Sequence, residues 1–305
     1  MPDYSGEIAS GIPEELRLDR YVAEYLGLLN RSQIKSRAMR GMVNGKEVKL
    51  SRIVRPGDRV ELSWNEAEPA ELIPEDIPLD IIYEDSRVAV INKAQGMVVH
   101  PGAGNRRGTL ANALLFRRLR LGKEGGGLRP GIVHRLDKDT SGVIISAYDD
   151  EALEFLAQQF RERSALKTYL AIVAGVPKER SGRIETKLAR DPGDRIRFAV
   201  SPSKGKHALT FYRLIRSWDG YSLILLRPKT GRTHQLRVHM RFLGHPIIGD
   251  KLYGTQDRHF PGAELMLHAA RLTIKIPGSE EAQSFRAPVP PRFSGMISAL
   301  KKDRS

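Results

Sequence analysis

The sequence predicts an α+β fold, a mixed, mostly antiparallel sheet with flanking helices, preceded by a small α/β module. Three observations carry this expectation. Short β-branched runs bounded by turn residues are mixed with isolated helical stretches, without a regular βαβα rhythm. The charge reverses sign near residue 65, across a proline-bearing stretch that divides the chain. Ahead of that division, helical periodicities and hairpin turns are packed into about fifty residues.

Residues 1–13 are expected to be a flexible lead. The small module, residues 14–64, begins with Leu18, Val22 and Leu26 at helical spacing, and Ile34, Ala38 and Met42 mark a second helix. Ser32 is placed to cap that helix and Gly41 lies near its end. Asn44-Gly45 predicts a hairpin turn, and Pro56-Gly57-Asp58 another before the strand Arg59-Val60-Glu61-Leu62. Residues 16–62 hold 11 basic and 5 acidic side chains, whereas residues 65–80 hold 6 acidic and none basic. Pro69, Pro74 and Pro78 can continue neither helix nor ladder, so residues 65–78 read as a linker.

Residues 79–305 form the larger domain. Strands are expected at Ile81-Ile82-Tyr83, Val88-Ala89-Val90-Ile91, Gly131-Ile132-Val133 and Val143-Ile144-Ile145, then at 167–176, 210–214 and 221–227. Residues 151–163 give a helix capped by Asp149 or Asp150, with Leu153, Leu156 and Phe160 as its stripe. A further helix is expected from Thr233 as N-cap to Phe242, closed by Gly244. Gly125-Gly126-Gly127 reads as a flexible connection.

The 305 residues are 40% apolar and 28% charged, ordinary for a soluble protein with room for two domains. No apolar run approaches about 18 residues, so no membrane-spanning helix is expected. The first residues lack the basic start and apolar core of a signal peptide. Cysteine is absent, which excludes disulfides and cysteine-based zinc sites and suits a reducing cytoplasm. The excess of 50 Lys+Arg over 36 Asp+Glu, +14 in formal charge, suits a polyanionic partner. No basic amphipathic helix with aromatic anchors points to a membrane surface.

Four segments are richer in polar residues than a plain core needs. In His134-Arg135-Leu136-Asp137-Lys138-Asp139-Thr140-Ser141-Gly142, an extended backbone would put Arg135 and Asp137 on one face and His134 and Leu136 on the other. An Asp beside an Arg at a strand end stays ionised and accessible, although an ordinary surface pair has the same look. Lys167 and Tyr169 share a strand face. In Thr230-Gly231-Arg232-Thr233-His234-Gln235-Leu236-Arg237-Val238-His239, Arg232 precedes a helix N-terminus where an anion is well held. His234 and His239 have no acidic residue at ligand spacing, so no metal is expected. The fourth segment, Asn92-Lys93-Ala94-Gln95-Gly96, leads from a strand into a Gly/Pro loop. Nucleophile-elbow, phosphate-loop and dinucleotide fingerprints are missing.

Together these segments resemble the RluA-type pseudouridine synthases, which isomerise uridine in RNA. Residues 134–142 resemble the family's catalytic signature, 167–175 its second motif and 231–239 its third, with supporting matches at His245-Pro246-Ile247-Ile248-Gly249-Asp250, Leu267-His268-Ala269 and Ala287-Pro288. The small module resembles the S4 RNA-binding domain through Leu18-Asp19-Arg20-Tyr21-Val22, Asn30-Arg31-Ser32-Gln33-Ile34 and Val43-Asn44-Gly45. One departure is Ala94, where the family usually has Pro after Asn-Lys.

The resemblance implies that Asp137 acts on the uridine sugar, as nucleophile at C1′ or as base, and that Arg232 pairs with it. It implies that Tyr169 stacks on uracil and assists the last deprotonation, while Leu236 covers the other ring face. Arg135 would enter the RNA stack, with Lys167 and His134 as further substrate-binding residues. Arg31, Lys35, Arg37 and Arg40 would contact RNA from the small module. Large-subunit ribosomal RNA is the expected partner, with no cofactor and no obligate protein partner; a monomer is expected. A transfer-RNA enzyme and a non-catalytic ribosome-associated RNA-binding protein are the alternatives. A hydrolase using His134 with Asp137 is disfavoured by their opposite faces.

Overall fold

The computed structural model describes residues 3–302 apart from 14, 30, 66–71, 103–104, 123–129 and 195, so the triple glycine at 125–127 lies outside the described residues. It divides into two compact units, Met1–Glu71 and Leu72–Ser305.

In the first unit the strands are β1 (Tyr4–Glu7), β2 (Leu16–Arg17), β3 (Arg40–Val43), β4 (Lys46–Val48), β5 (Ile53–Val54) and β6 (Arg59–Ser63). The helices are α1 (Leu18–Arg20), which runs into a wider turn over Tyr21–Tyr25, and α2 (Arg31–Ser36). Antiparallel pairing gives the order β1-β6-β3-β4, with β2 on β5. Asn44 and Gly45, at φ 51 and 74, make the expected hairpin turn. Within the stretch expected as a flexible lead, β1 pairs with β6 and the Asp3 carboxylate accepts the Trp64 N–H at 2.7 Å.

The second helix is shorter than its periodicity suggested. Ala38 is left-handed at φ 47 and exposed, and Met42 and Gly41 belong to β3. Ile34 and Met39 fill the core instead, with Leu16, Leu18, Val22, Val60 and Leu62. Ser32 is the second residue of α2, two positions too late to cap it. Lys35 and Arg40 are exposed and Arg37 half-buried, while the side chain of Arg31 lies outside what the structure describes.

The second unit contains β7 (Ile81–Glu84), β8 (Val88–Lys93), α3 (Leu110–Arg120), β9 (Ser141–Ala147), α4 (Asp150–Glu162), β10 (Leu166–Ala174), β11 (Ser181–Arg190) and β12 (Phe198–Val200). It continues with β13 (Lys206–Trp218), β14 (Tyr221–Pro228), α5 (Gln235–Phe242), β15 (Leu267–Ile274), β16 (Gln283–Arg286) and α6 (Pro291–Lys302). The strands form one sheet in the order β12-β11-β13-β14-β10-β15-β9-β8-β7, with β16 beside β15. Its one parallel pair among the described residues is β9 with β15, so the mixed, mostly antiparallel expectation matches what is found.

Alternation explains why β8 and β9 read as continuous apolar runs. Val88, Val90, Val143 and Ile145 face α4 through Ala152 and Leu156. Ala89, Ile91 and Ile144 join the core built with Leu110 and Leu114 of α3 and Phe293, Met296 and Leu300 of α6. Asp149 caps α4 by accepting the Ala152 N–H at 2.7 Å. The C-terminal part of the expected linker belongs to this unit: Asn112 Nδ2 donates to the Ile73 carbonyl at 2.8 Å, and Glu75 accepts the Gly108 N–H at 3.0 Å. No helix among the described residues is long and apolar enough to cross a membrane.

Candidate active site

Sheet order brings the polar segments together. β9 starts at Ser141, just after the turn that carries Asp137, and pairs with β15 through Ser141↔His268 and Gly142↔Ala269. Ala269 lies opposite Tyr169 of β10, and Tyr169 opposite Leu226 of β14, whose end leads into α5. The joint between β9 and β15 requires glycine. Gly142 has φ 115, and a Cβ there would lie 2.2 Å from the Ala269 carbonyl oxygen.

Residues 131–137 are not the expected strand. Ile132 makes a single bridge to Ser146, and the rest is irregular. His134 replaces a ladder bond with a side-chain bond, its Nε2 accepting the Ile145 N–H at 3.1 Å. Its ring stacks on Phe160 at 4.5 Å, and burial lowers its pKa to about 3 with the Lys167 charge adding to the effect. His134 is therefore neutral and engaged at Nε2, unsuited to activating Asp137. Leu136 is buried, Arg135 exposed, and the Asp137 side chain 20% exposed.

The Asp137 turn is fastened from below. Its carbonyl accepts the Thr140 N–H at 3.1 Å, while the Lys138 carbonyl accepts the Gly96 N–H at 2.9 Å and Lys93 Nζ at 3.1 Å. Lys93 is fully buried and also donates to the Ala94 and Met97 carbonyls at 2.8 Å each. Burial lowers its pKa to about 8, against the pull of Asp139 and Asp137. The fourth sequence segment thus supports the turn, and Ala94 contributes a carbonyl that proline also has. Asp139 is exposed within the same turn.

The guanidinium beside Asp137 is Arg237, not Arg232. Arg237 Nη1 lies 3.5 Å from Asp137 Oδ2, while Nε and Nη2 donate to the two oxygens of buried Asp250 at 2.7 Å each. Arg232 lines the same cavity, with its Nε donating to the His207 carbonyl at 2.9 Å. The start of α5 explains the difference, since its N-cap is His234 and not Thr233. Buried Gln235 accepts from the Thr230 hydroxyl at 2.7 Å and the Arg232 N–H at 3.0 Å, and donates to the Leu209 carbonyl and Thr210 hydroxyl. These bonds hold residues 230–232 outside the helix. Arg237, Asp250, Gln235 and Lys93 were not singled out by sequence reasoning, although all four stood inside quoted segments.

Tyr169 and Leu236 are buried and line a cavity of about 440 Å³ together with Asp137, Arg135, His134, Lys167 and Arg232. Burial, then the Asp137 carboxylate, push the Tyr169 phenol above its ordinary pKa, so it is protonated at neutral pH. Lys167 lies across a bulge from Tyr169, its ammonium 5.8 Å from the Phe160 ring centroid, and burial lowers its pKa. A second cavity of about 650 Å³ meets the first at Arg135, Asp137, His234 and Arg237. The arrangement is a carboxylate poised by an arginine, beside an aromatic and an aliphatic wall.

The family model described as RNA pseudouridylate synthase matches residues 87–242, which include Asp137, Tyr169 and Arg237. The chain belongs to the RluA-type RNA pseudouridine synthases. It is 44% identical to the ribosomal large subunit pseudouridine synthase D of Borreliella burgdorferi, over 94% of this chain and 90% of that protein. It is 43% identical to an uncharacterized RNA pseudouridine synthase of Aquifex aeolicus, over 95% of each. Among solved structures, human RNA pseudouridylate synthase domain containing 4 is similar with a TM-score of 0.60 and 28% identity, covering 73% of this chain and 93% of that one. This synthase is thus an isomerase that acts on RNA.

Proposed function

We propose that this synthase modifies uridine in large-subunit ribosomal RNA and that Asp137 is the group that acts on the ribose. The observation that carries the second part is the Asp137 carboxylate itself, held by Arg237 where the two cavities meet and next to the wall of Tyr169 and Leu236. The name of the Borreliella relative supports the first part. The reaction breaks C1′–N1, joins C1′ to C5 and moves the C5 proton to N1, so neither an oxidant nor a phosphoryl donor is required. Asp137 serves as nucleophile at C1′ or as base toward a sugar proton.

Uracil lies between Tyr169 and Leu236 in this reading. The Asp137 charge helps to keep the phenol protonated, so Tyr169 gives up its proton more readily once Asp137 is esterified or protonated. Exposed Arg135 fills the gap left in the RNA stack by the flipped nucleotide, offsetting a few kcal/mol of unpairing. Lys167 and Arg232 add positive charge along the cavity, and His134 props the turn from behind. The small unit acts as an S4-like RNA-binding module through Arg31, Lys35, Arg37 and Arg40. The enzyme works as a cytoplasmic monomer.

The test maps pseudouridine in ribosomal and transfer RNA from cells lacking the protein, with wild type or Asp137→Asn restored. A large-subunit site should disappear and return only with wild type, since removing the reacting group costs on the order of 10³-fold or more. Loss confined to transfer RNA would overturn the substrate, and restoration by Asp137→Asn would overturn the role of Asp137.

A further inference from the structure

His234 has no role in the reading above, yet its placement is unusual. It precedes α5 with a left-handed backbone, φ 55, a conformation unfavourable for a residue with a Cβ and retained where the surroundings enforce it. Its side chain caps no helix N–H. The imidazole is held instead by Tyr253, with Nδ1 2.8 Å from the hydroxyl and the rings edge to face at 5.5 Å.

The hydrogen-bond partners favour one tautomer. The Phe198 N–H donates to the Tyr253 hydroxyl oxygen at 2.8 Å. Among the described residues the hydroxyl proton has the imidazole Nδ1 as its acceptor, and that pairing leaves the ring proton on Nε2. That N–H has no protein partner among the described residues, and His234 lines both cavities. Burial pushes the imidazole below its ordinary pKa despite the nearby Asp137 carboxylate, so it is a neutral donor at neutral pH.

Arg135, Asp137, His234 and Arg237 line both cavities, whereas Tyr169 and Leu236 line the smaller one alone. With uracil against Tyr169 and the ribose over Asp137, the atoms at the junction belong to the sugar and its phosphates. We propose that His234 contacts the substrate, its imidazole held by Tyr253 in the Nε2–H tautomer and donating to a sugar or phosphate oxygen of the target nucleotide. This rests on the assignment of Asp137 to the ribose.

The test uses full-length enzyme and an RNA oligonucleotide carrying the mapped uridine. Asn accepts a left-handed backbone and is a favoured helix cap, but its amide reaches only the position of Nδ1. Gln carries its amide nitrogen to about the position of Nε2. A purely structural role predicts Asn to serve at least as well as Gln. The proposal expects the opposite. His234→Asn should lower the single-turnover rate on the order of ten-fold, His234→Gln should recover part of it, and both should melt within a few degrees of wild type.

Double-mutant cycles then combine His234→Asn with a 2′-deoxy target nucleotide or a phosphorothioate beside it. Non-additivity in either cycle supports the contact and names the oxygen. A His234→Asn enzyme as fast as wild type, or additivity in both cycles, overturns the proposal. Wild type and Asp137→Asn run alongside: an active Asp137→Asn enzyme sinks the underlying reading, whereas active His234→Asn with dead Asp137→Asn sinks only the His234 contact.

Discussion

At the scale of single residues, the site turns on one guanidinium shared by two carboxylates. Asp250 occupies Nε and Nη2 of Arg237 and leaves Nη1 to Asp137. Lysine is a point charge and cannot reproduce that fork. Arg237→Lys should therefore lose most activity and about 3 kcal/mol of stability, because Asp250 is fully buried and would lose its bidentate partner. Arg232→Ala, by contrast, removes a cation from the cavity wall without unpairing Asp137. It should raise KM several-fold and flatten the salt dependence of RNA binding by about one phosphate contact. Steady-state kinetics and denaturation of the two variants check this ordering, and equal loss of kcat in both would contradict it.

At the scale of elements, catalytic geometry depends on how β9 meets β15. The turn bearing Asp137 ends where these strands begin their parallel pairing, and Gly142 allows their backbones to approach. Gly142→Ala places a methyl 2.2 Å from the Ala269 carbonyl oxygen in a φ region costly for alanine. It should destabilise the fold by several kcal/mol and depress activity beyond the loss of folded protein. Thermal melting paired with activity per folded molecule separates the two effects. A wild-type melting temperature would show that the joint is looser than the structure implies.

At the scale of the whole molecule, buried histidines tie stability to pH. Burial lowers His134 to about 3 and His239 and His268 to about 4, all below the ordinary imidazole value. Their folded-state pKa values are depressed, so their stability is complete above about pH 6.5 and is lost as pH falls toward 4. Each contributes about 1.4 kcal/mol per pH unit once the unfolded imidazoles titrate. Urea midpoints should drop between pH 6.5 and 5, and no drop in that window would refute neutral burial. The two compact units permit a second prediction. Removing residues 1–71 should leave a folded Leu72–Ser305 that binds ribosomal RNA more weakly and with a shallower salt slope. Unchanged modification of the natural site by that fragment would deny the small unit its proposed role.

Local patterning determined much of this protein. The β-branched runs of β8 and β9, the Asn44-Gly45 hairpin and the cap of α4 by Asp149, one of its two candidates, depend on neighbours in sequence, and each is found where the sequence puts it. The density of polar residues at 134–142, 167–169 and 230–239 likewise located the cavity wall. Four features were decided by contacts between residues far apart in the chain. Gln235 delays the start of α5 through bonds to Leu209 and Thr210, His134 displaces the expected strand by binding Ile145, and Lys93 holds the Lys138 carbonyl. Asp250, 13 residues from Arg237, selects it over Arg232. Periodicity reports which face of an element is apolar, whereas the choice of partner for a buried charge depends on which strands and turns the fold sets side by side.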